Sequence, residues 1–271
     1  MKTILSILCD NTCFKPGFIA EHGFSVFIER GEKKILFDTG SGVGLFHNAS
    51  LAGIDLSKID CLILSHGHSD HTGGLSKLLS INPELKIYAH PQIIVPKFKI
   101  LNGKSKYIGI NKRIINKYSD NFIFVKKPLE IFEGIWLSGE IKRIFPQKAS
   151  DRYYTDNNLE HPDMCTDEQF LIIDHGSEVS VLTGCCHFGI RNIFPLIKKI
   201  FNTTAIKCLI GGLHLRHIEE SEMNSCMESL ITTNPKMIGA AHCTGLDAYA
   251  AIKFSFPSSS FWASTGMKIE I

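Results

Sequence analysis

A short segment near residue 65 concentrates side chains that can bind metal ions. Residues 65–71 read SHGHSDH and directly follow the apolar run 61–64 (CLIL). Imidazole and carboxylate groups are ligands that Zn²⁺ and similar cations prefer, and a tight turn after a strand can direct several of them into one cavity. His66 and His68, at alternate positions, can face one ion, while the adjacent Asp70 and His71 begin a helix and serve a second ion. The segment therefore predicts a dinuclear metal centre.

The other histidines need a separate interpretation, because an isolated histidine is usually a partly buried polar group with one hydrogen bond. We apply that interpretation to His22, His47, His90, His175 and His217. Four ligand-type side chains within six residues are different, since leaving them unpaired beside an apolar strand would cost several kcal/mol.

Strands and helices must alternate to position this segment. Short runs rich in β-branched and aromatic residues predict strands at 2–9, 23–30, 33–38, 61–64, 85–89, 122–126, 131–138, 169–173, 178–183, 206–210, 236–241 and 267–271. Apolar periodicity predicts helices at 43–52, 72–80, 189–201, 220–232 and 245–253. Because both halves run from strands to helices, we expect two sheets packed face to face with helices outside. Periodicity fails between residues 140 and 167, which predicts a long functional loop.

Composition excludes several classes of protein. The chain has 271 residues, 44% of them hydrophobic, and a formal net charge of +2, which argues against disorder and against a broad surface for nucleic acid or an anionic membrane. No apolar run approaches the ~20 residues that a membrane helix needs. The nine cysteines are an odd number in mixed contexts, which argues against a disulfide framework and favours a cytoplasmic protein.

One cationic stretch lies in the middle of the chain. Its members are Lys97, Lys99, Lys104, Lys106, Lys112, Arg113 and Lys117. Such a stretch could contact RNA, but it lacks interleaved exposed aromatic residues. We therefore expect a solvated surface and no nucleic-acid partner. The sequence leaves the oligomeric state open.

Residues 66–71 match the HxHxDH signature of the metallo-β-lactamase superfamily at every position, and the resemblance extends across nearly the whole chain. Further segments resemble the dihydropteroate-synthase-like branch of methanopterin biosynthesis: 136–140 (WLSGE), 166–169 (TDEQ), 184–190 (GCCHFGI), 211–215 (GGLHL) and 241–245 (AHCTG). The resemblance implies an α/β fold, a four-layer αββα sandwich of two mixed sheets with helices on the outer faces. It also implies a single domain over 1–271, with a long active-site loop at about 140–168.

The resemblance assigns metal ligands residue by residue. His66 and His68 match one metal site, Asp70 and His71 match the other, and His242 matches the last histidine ligand. Residues 37–40 (FDTG) resemble the acid-bearing turn of the superfamily, in which Asp38 would orient a ligand through a hydrogen bond.

The middle of the chain departs from the usual pattern. Where most members have a histidine before a strand, this chain has 166–168 (TDE), and where they have Gly-Asp with a bridging carboxylate it has Gly184-Cys185. We expect His187 to be the third ligand of the first site. Cys185 either bridges the ions as a thiolate or packs as a buried thiol, and a contact between Glu168 and metal is left open. Without a bridging carboxylate, the second site would bind weakly or select a softer metal.

These residues predict a metal-dependent hydrolase that activates water against a phosphoester or carbonyl-type small molecule. Two ions about 3.5–4 Å apart would lower the pKa of bound water toward about 7. Asp70 is the predicted proton shuttle, and His214 is a pocket residue predicted to protonate the leaving group. We expect one or two Zn²⁺ ions, with Mn²⁺ or Fe as alternatives. Their charge would attract an anionic substrate.

Two other functions stay open. The resemblance to the methanopterin branch implies one of them, a transferase, namely a synthase that condenses a pterin with an arylamine and releases pyrophosphate. The side chains that could contact a pterin are Tyr153, Tyr154, Phe188 and Gln169, for which packing is the simpler role. The other is a non-catalytic or redox metal protein, to which Cys185, Cys186 and Cys243 could contribute thiols.

Overall fold

Strands and helices alternate along the chain as the periodicity predicts. The structure is a computed structural model that describes residues 1–145 and 153–271. The strands are β1 (Thr3–Cys9), β2 (Ser25–Arg30), β3 (Lys33–Phe37), β4 (Cys61–Ile63), β5 (Lys86–Ala89), β6 (Phe98–Leu101), β7 (Lys104–Tyr107), β8 (Phe122–Phe124), β9 (Leu129–Phe132), β10 (Ile135–Leu137), β11 (Tyr153–Tyr154), β12 (Leu171–Asp174), β13 (Val179–Thr183), β14 (Ile206–Gly212), β15 (Met237–Ala241), β16 (Ser260–Trp262) and β17 (Lys268–Glu270). The helices are α1 (Leu45–Leu51), α2 (Ser69–Thr72), α3 (Leu75–Ile81), α4 (Lys112–Lys117), α5 (Ile193–Phe201), α6 (Glu220–Thr233) and α7 (Leu246–Ser255). Within these ranges, no helix has both the length and the apolar character needed to cross a bilayer.

Two large mixed sheets share the same construction. The first has the order β17-β1-β2-β3-β4-β5-β8, and the second has the order β16-β15-β14-β13-β12-β10-β9. Pairing is antiparallel from β17 to β3 and parallel from β3 to β8 in the first sheet. In the second sheet it is parallel from β16 to β13 and antiparallel from β13 to β9. A small third sheet has the order β11-β6-β7.

Successive side chains along each strand pack into different layers of the fold. In β3, Ile35 and Phe37 join the cluster between the two large sheets, whereas Leu36 joins a cluster with Leu75 and Leu78 of α3. The outer face of the second sheet packs in the same way against α5, α6 and α7. Because successive side chains in a strand point to opposite faces, both sheets bury both of their faces. The predicted four-layer αββα sandwich is confirmed.

Several element boundaries differ from the predictions. The single strand expected at 131–138 is the hairpin β9–β10, which turns at Gly134 with φ +69°. The helix expected at 72–80 corresponds to α3, which begins at Leu75, while α2 precedes it and ends at Thr72, with Gly73 and Gly74 between the two. The loop expected at 140–168 contains β11, and its residues 146–152 lie outside the described residues.

Parallel strands of both sheets end at one common place. Asp38 follows β3 and His66 lies shortly after β4, in the first sheet. In the second sheet, His187 follows β13, His214 follows β14 and His242 follows β15. The carboxyl ends of parallel strands are a frequent location for binding sites, and here the two sheets contribute to the same one.

Candidate metal centre

The first group of ligand atoms consists of three buried histidines. One side-chain nitrogen from each of His66, His68 and His187 lies within 4.8 Å of the others. Their ring centroids are 4.6 to 4.9 Å apart. The Nε2 atoms of His68 and His187 are buried and have no hydrogen-bond partner among the described residues. Buried nitrogens without a partner are costly unless a ligand occupies the space between them, so this group fits a cation.

The protonation of these histidines also suits a cation. Burial, reinforced by the neighbouring histidines, lowers the pKa of His66 and of His187 well below its usual value. Burial likewise lowers the pKa of His68, although the charge of Asp70 opposes it. Neutral imidazole is the form that binds metal. The three rings are therefore neutral at pH 7 and have a lone pair available.

Asp38 holds His71 and the metal-binding turn together. Its Oδ2 lies 2.7 Å from His71 Nδ1 and accepts a hydrogen bond from Ser65 Oγ at 2.6 Å, while Oδ1 accepts one from Ser65 N at 2.7 Å. Asp38 adopts a left-handed conformation, with φ +57°. With Nδ1–H donating to the carboxylate, Nε2 of His71 faces the centre. A carboxylate behind a ligating histidine fixes the tautomer and the ring orientation.

A second group of ligand atoms surrounds Asp70. Its Oδ2 lies 3.4 Å from His242 Nε2 and 4.0 Å from His71 Nε2. The other ring nitrogen of His242, Nδ1, lies 2.9 Å from Asn11 Oδ1, which orients the ring. Burial raises the pKa of Asp70, but the charges of His71 and His242 outweigh that effect and hold it well below its usual value. Asp70 is therefore an ionised carboxylate between two imidazoles.

Cys185 lies between the two groups. Its Sγ is 3.2 Å from His71 Nε2, and its carbonyl oxygen accepts a hydrogen bond from Cys243 Sγ at 3.2 Å. Side-chain atoms of Cys185, His66 and His71 lie within 4.8 Å of one another, and so do those of Cys185, His242 and Cys243. Burial raises the pKa of the Cys185 thiol. The position of the sulfur is therefore compatible with both predicted roles of Cys185, a thiolate that bridges the ions and a buried thiol that only packs.

Glu168 lies behind this centre. Its Oε2 accepts a hydrogen bond from Phe188 N at 2.9 Å, and its Oε1 is buried without a partner among the described residues. Within those residues, Glu168 belongs to no cluster of three or more candidate metal-ligand atoms. Burial raises its pKa to about 8. The neutral carboxyl group therefore contacts the backbone next to His187.

A cavity of about 410 Å³ opens over the two groups. His214 lies on its wall, with its ring centroid 4.3 Å from that of His187. Tyr153 covers the first group, at 4.7 Å from His68 and 5.3 Å from His187 between ring centroids. Lys99, Lys106 and Arg216 line the cavity as well, so its opening is cationic.

The comparisons with known proteins agree with this geometry. Residues 19–146 match the sequence profile of the metallo-beta-lactamase superfamily. An uncharacterised protein of Methanocaldococcus jannaschii is 32% identical over 252 residues, which cover 90% of this chain and 92% of the relative. The chain belongs to the metallo-β-lactamase superfamily.

Two further relatives carry informative names. The first is the 7,8-dihydropterin-6-methyl-4-(beta-D-ribofuranosyl)-aminobenzene-5'-phosphate synthase of M. jannaschii, 31% identical over 262 residues that cover 90% of this chain and 88% of the synthase. The second is the crystal structure of Tm1679, a metal-dependent hydrolase of the β-lactamase superfamily, with a TM-score of 0.85 and 28% identity over 99% of both chains. The predicted resemblance to the superfamily and to its methanopterin branch is confirmed. One relative is a hydrolase by name and the other is a synthase.

The structure brings the residues predicted as superfamily ligands into one place. His66, His68 and His187 form the first group, and His71 and His242 lie on either side of Asp70. Their roles as ligands stay predictions. Among the candidate pterin contacts, Tyr153 lines the cavity, whereas Phe188 packs in the outer core and Gln169 donates to the Leu64 carbonyl oxygen.

Two residues at or near the candidate metal centre were interpreted wrongly from the sequence. Lys97 was expected on a solvated surface, but it is 1% exposed and pairs with Asp163 and Asp167. Its partners are two of the seven acidic residues between positions 140 and 168, and nothing in the sequence distinguishes them from the others. His22 was interpreted as an ordinary histidine, yet its Nε2 lies 3.3 Å from Asp70 Oδ2.

Proposed function

We propose that this protein is a metal-dependent hydrolase that uses two divalent ions, with Zn²⁺ as the expected metal, on a small anionic substrate. The observation that carries this proposal is the convergence of two groups of ligand atoms on the floor of one cavity. His66, His68 and His187 would hold the first ion. Asp70, His71 and His242 would hold the second. Ions bound there would activate water and stabilise negative charge on the reacting group.

Asp70 and His214 would move the protons. The Asp70 carboxylate is ionised and partly accessible from the cavity, so it can orient an attacking water and accept its proton. His214 lies beside His187 on the cavity wall, where its ring can give a proton to a leaving group. Removing Asp70 would affect both ion binding and proton transfer, whereas removing His214 would leave the ligand groups intact.

The opening of the cavity supports an anionic substrate. Lys99 of β6 and Lys106 of β7 are direct cross-strand partners, an arrangement that destabilises a sheet because like charges repel. Arg216 lines the same cavity. Within residues 1–145 and 153–271, none of these three cations forms an ion pair with a carboxylate. A phosphate or carboxylate group of the substrate would neutralise them.

The test is a panel of substrates with the metal-loaded protein. We expect turnover of a phosphodiester, phosphomonoester or thioester, and loss of both turnover and bound metal in His68→Ala and His187→Ala. His47→Ala is the matched control, because His47 is an exposed histidine that contacts the Gly17 carbonyl oxygen. A His68→Ala protein that keeps its full metal content and activity would overturn the proposal.

The role of the cationic opening can be tested with two lysines of the same strand. Lys106→Gln should raise KM for an anionic substrate roughly tenfold, which is the value of one charge-assisted hydrogen bond. Lys104→Gln should leave KM unchanged, because Lys104 lies on β7 but does not line the cavity.

A synthase is the second candidate, favoured by the 31% identical relative with that name and by the aromatic ring of Tyr153 beside the ligand groups. In this reaction an arylamine would attack a pterin and pyrophosphate would leave. Incubation with the pterin pyrophosphate and arylamine pair, followed by an assay for released pyrophosphate, separates the two candidates. Condensation without hydrolysis of any ester in the panel would favour the synthase.

A further inference from the structure

His22 lies on the cavity side of Asp70. Its Nε2 is 3.3 Å from Asp70 Oδ2, and His242 Nε2 is 3.4 Å from the same oxygen. The candidate ligand atoms of these three residues all lie within 4.8 Å of one another. We infer that His22 is an additional protein ligand of the second ion, a role that the HxHxDH segment and the other predicted ligands do not include. This inference rests on the proposed metal centre.

The backbone that carries His22 is fixed against the other donors of the second site. Phe24 N donates to the Asp70 carbonyl oxygen at 3.3 Å, and Gly23 N donates to Asn11 Oδ1 at 3.2 Å. The same Asn11 oxygen lies 2.9 Å from His242 Nδ1. One amide oxygen therefore contacts both the His22 turn and the ring of His242.

Gly23 allows this close approach. Its φ is +153°, and a Cβ at this position would lie 2.4 Å from the Asp70 carbonyl oxygen and 2.8 Å from Ser41 N. A larger residue would push the turn away from Asp70. The chain thus brings His22 to the second site through a contact that requires glycine.

The composition of the second site explains why a further imidazole is useful there. Cys185 stands where most members of the superfamily have a bridging carboxylate, and burial keeps its thiol protonated in the absence of metal. With His22, the oxygen of Asp70 would be accompanied by three imidazole nitrogens, from His22, His71 and His242. Imidazole nitrogens and carboxylate oxygens are ligands that a zinc-type ion prefers. As a simple surface ion pair, by contrast, His22 would contribute little, because its side chain is 64% exposed.

The experiment measures ion binding instead of turnover. Apoprotein is titrated with Co²⁺ and with Zn²⁺ in competition with a chromophoric chelator, and the visible spectrum of each bound Co²⁺ equivalent is recorded. For His22→Ala we expect an unchanged first equivalent and a second equivalent weakened at least tenfold, with an altered Co²⁺ spectrum. His22→Gln, which keeps a polar side chain, should show the same loss. His47→Ala serves as the matched histidine control.

The outcomes distinguish this inference from the proposed function. If the wild-type protein binds two ions and both His22 variants bind the second one with unchanged affinity and spectrum, the assignment of His22 is wrong and the proposed centre stands. If the wild-type protein binds no second ion, both are wrong. Loss of the first ion in the His22 variants would also contradict the assignment, because His22 belongs to the group around Asp70.

Discussion

Lys97 Nζ lies 2.8 Å from Asp167 Oδ1, and the other oxygen of that carboxylate accepts a hydrogen bond from Gly67 N at 2.7 Å. Gly67 lies between His66 and His68 of the first ligand group. The ammonium group also contacts Asp163 Oδ2 at 2.9 Å. A single buried cation therefore stabilises the carboxylate that holds the metal-binding turn in place.

Replacing Lys97 should destabilise the fold. Lys97→Met would leave the buried Asp163 and Asp167 carboxylates unpaired, and breaking a buried ion pair in this way costs about 3–5 kcal/mol. Urea denaturation of the apoprotein measures the free energy of unfolding. Lys99→Met is the control, because Lys99 is partly exposed and should change it by less than about 1 kcal/mol. A change below about 1 kcal/mol for Lys97→Met would show that water replaces the ammonium group.

Replacing Asp38 should weaken metal binding without unfolding the protein. Asp38→Asn keeps the size of the side chain, and Asn tolerates the left-handed conformation at φ +57°. The amide cannot hold His71 as the carboxylate does, and loss of such a partner typically costs about 10–100-fold in metal affinity. Chelator competition measures the affinity. Asp60→Asn, a change in a partly exposed surface ion pair, should leave it unaltered.

Cys185 can be tested by spectroscopy. If its sulfur binds metal, the Co²⁺ protein should show a sulfur-to-metal charge-transfer band, and Cys185→Ser should abolish that band and weaken the second ion. We expect this result because the sulfur lies 3.2 Å from His71 Nε2. Cys226→Ser is the control, since Cys226 is buried in the outer core on α6. An identical spectrum in Cys185→Ser would assign the sulfur to packing.

His175 should make stability depend on pH. Partial burial, together with the positive charges of Lys207 and Arg30, lowers its pKa from 6.5 to about 4. As the pH falls below about 6.5, the unfolded chain takes up a proton on this histidine and the native chain does not. Stability is therefore lost as the pH falls from about 6.5 to about 4.

The variant His175→Gln isolates this contribution, and Gln can keep the hydrogen bond to Ser180 Oγ. Its unfolding midpoint in urea should fall less between pH 7 and pH 4.5 than that of the wild-type protein. Equal decreases in the two proteins would mean that the unfolded and native chains protonate His175 alike.

The ligand segment and the layers could be predicted because their signals are local. His66, His68, Asp70 and His71 lie within six residues, and the alternation Ile35-Leu36-Phe37 assigns each side chain to a face of the sheet. The two more distant predicted ligands, His187 and His242, required the resemblance to a known family, because no spacing rule connects them with residue 66.

The remaining features depend on contacts between distant parts of the chain. The carboxylates that pair with Lys97 are 66 and 70 residues away, so in the sequence it resembles the exposed lysines that follow it. The left-handed conformations of His214 and His242, with φ +48° and +50°, arise where strands end at the cavity and carry no sequence signal. The residues that converge on the cavity were therefore easier to identify in the sequence than the residues that support them.

The ends of parallel strands from both sheets meet at the proposed centre. An ion held by His66 of the first sheet and His187 of the second would cross-link the two halves of the sandwich without a covalent bond. Since a ligand that binds only the native state stabilises it by mass action, the resistance of this fold to heat and proteolysis should rise with the concentration of free divalent cation. The metal would then stabilise the fold in addition to its role in catalysis.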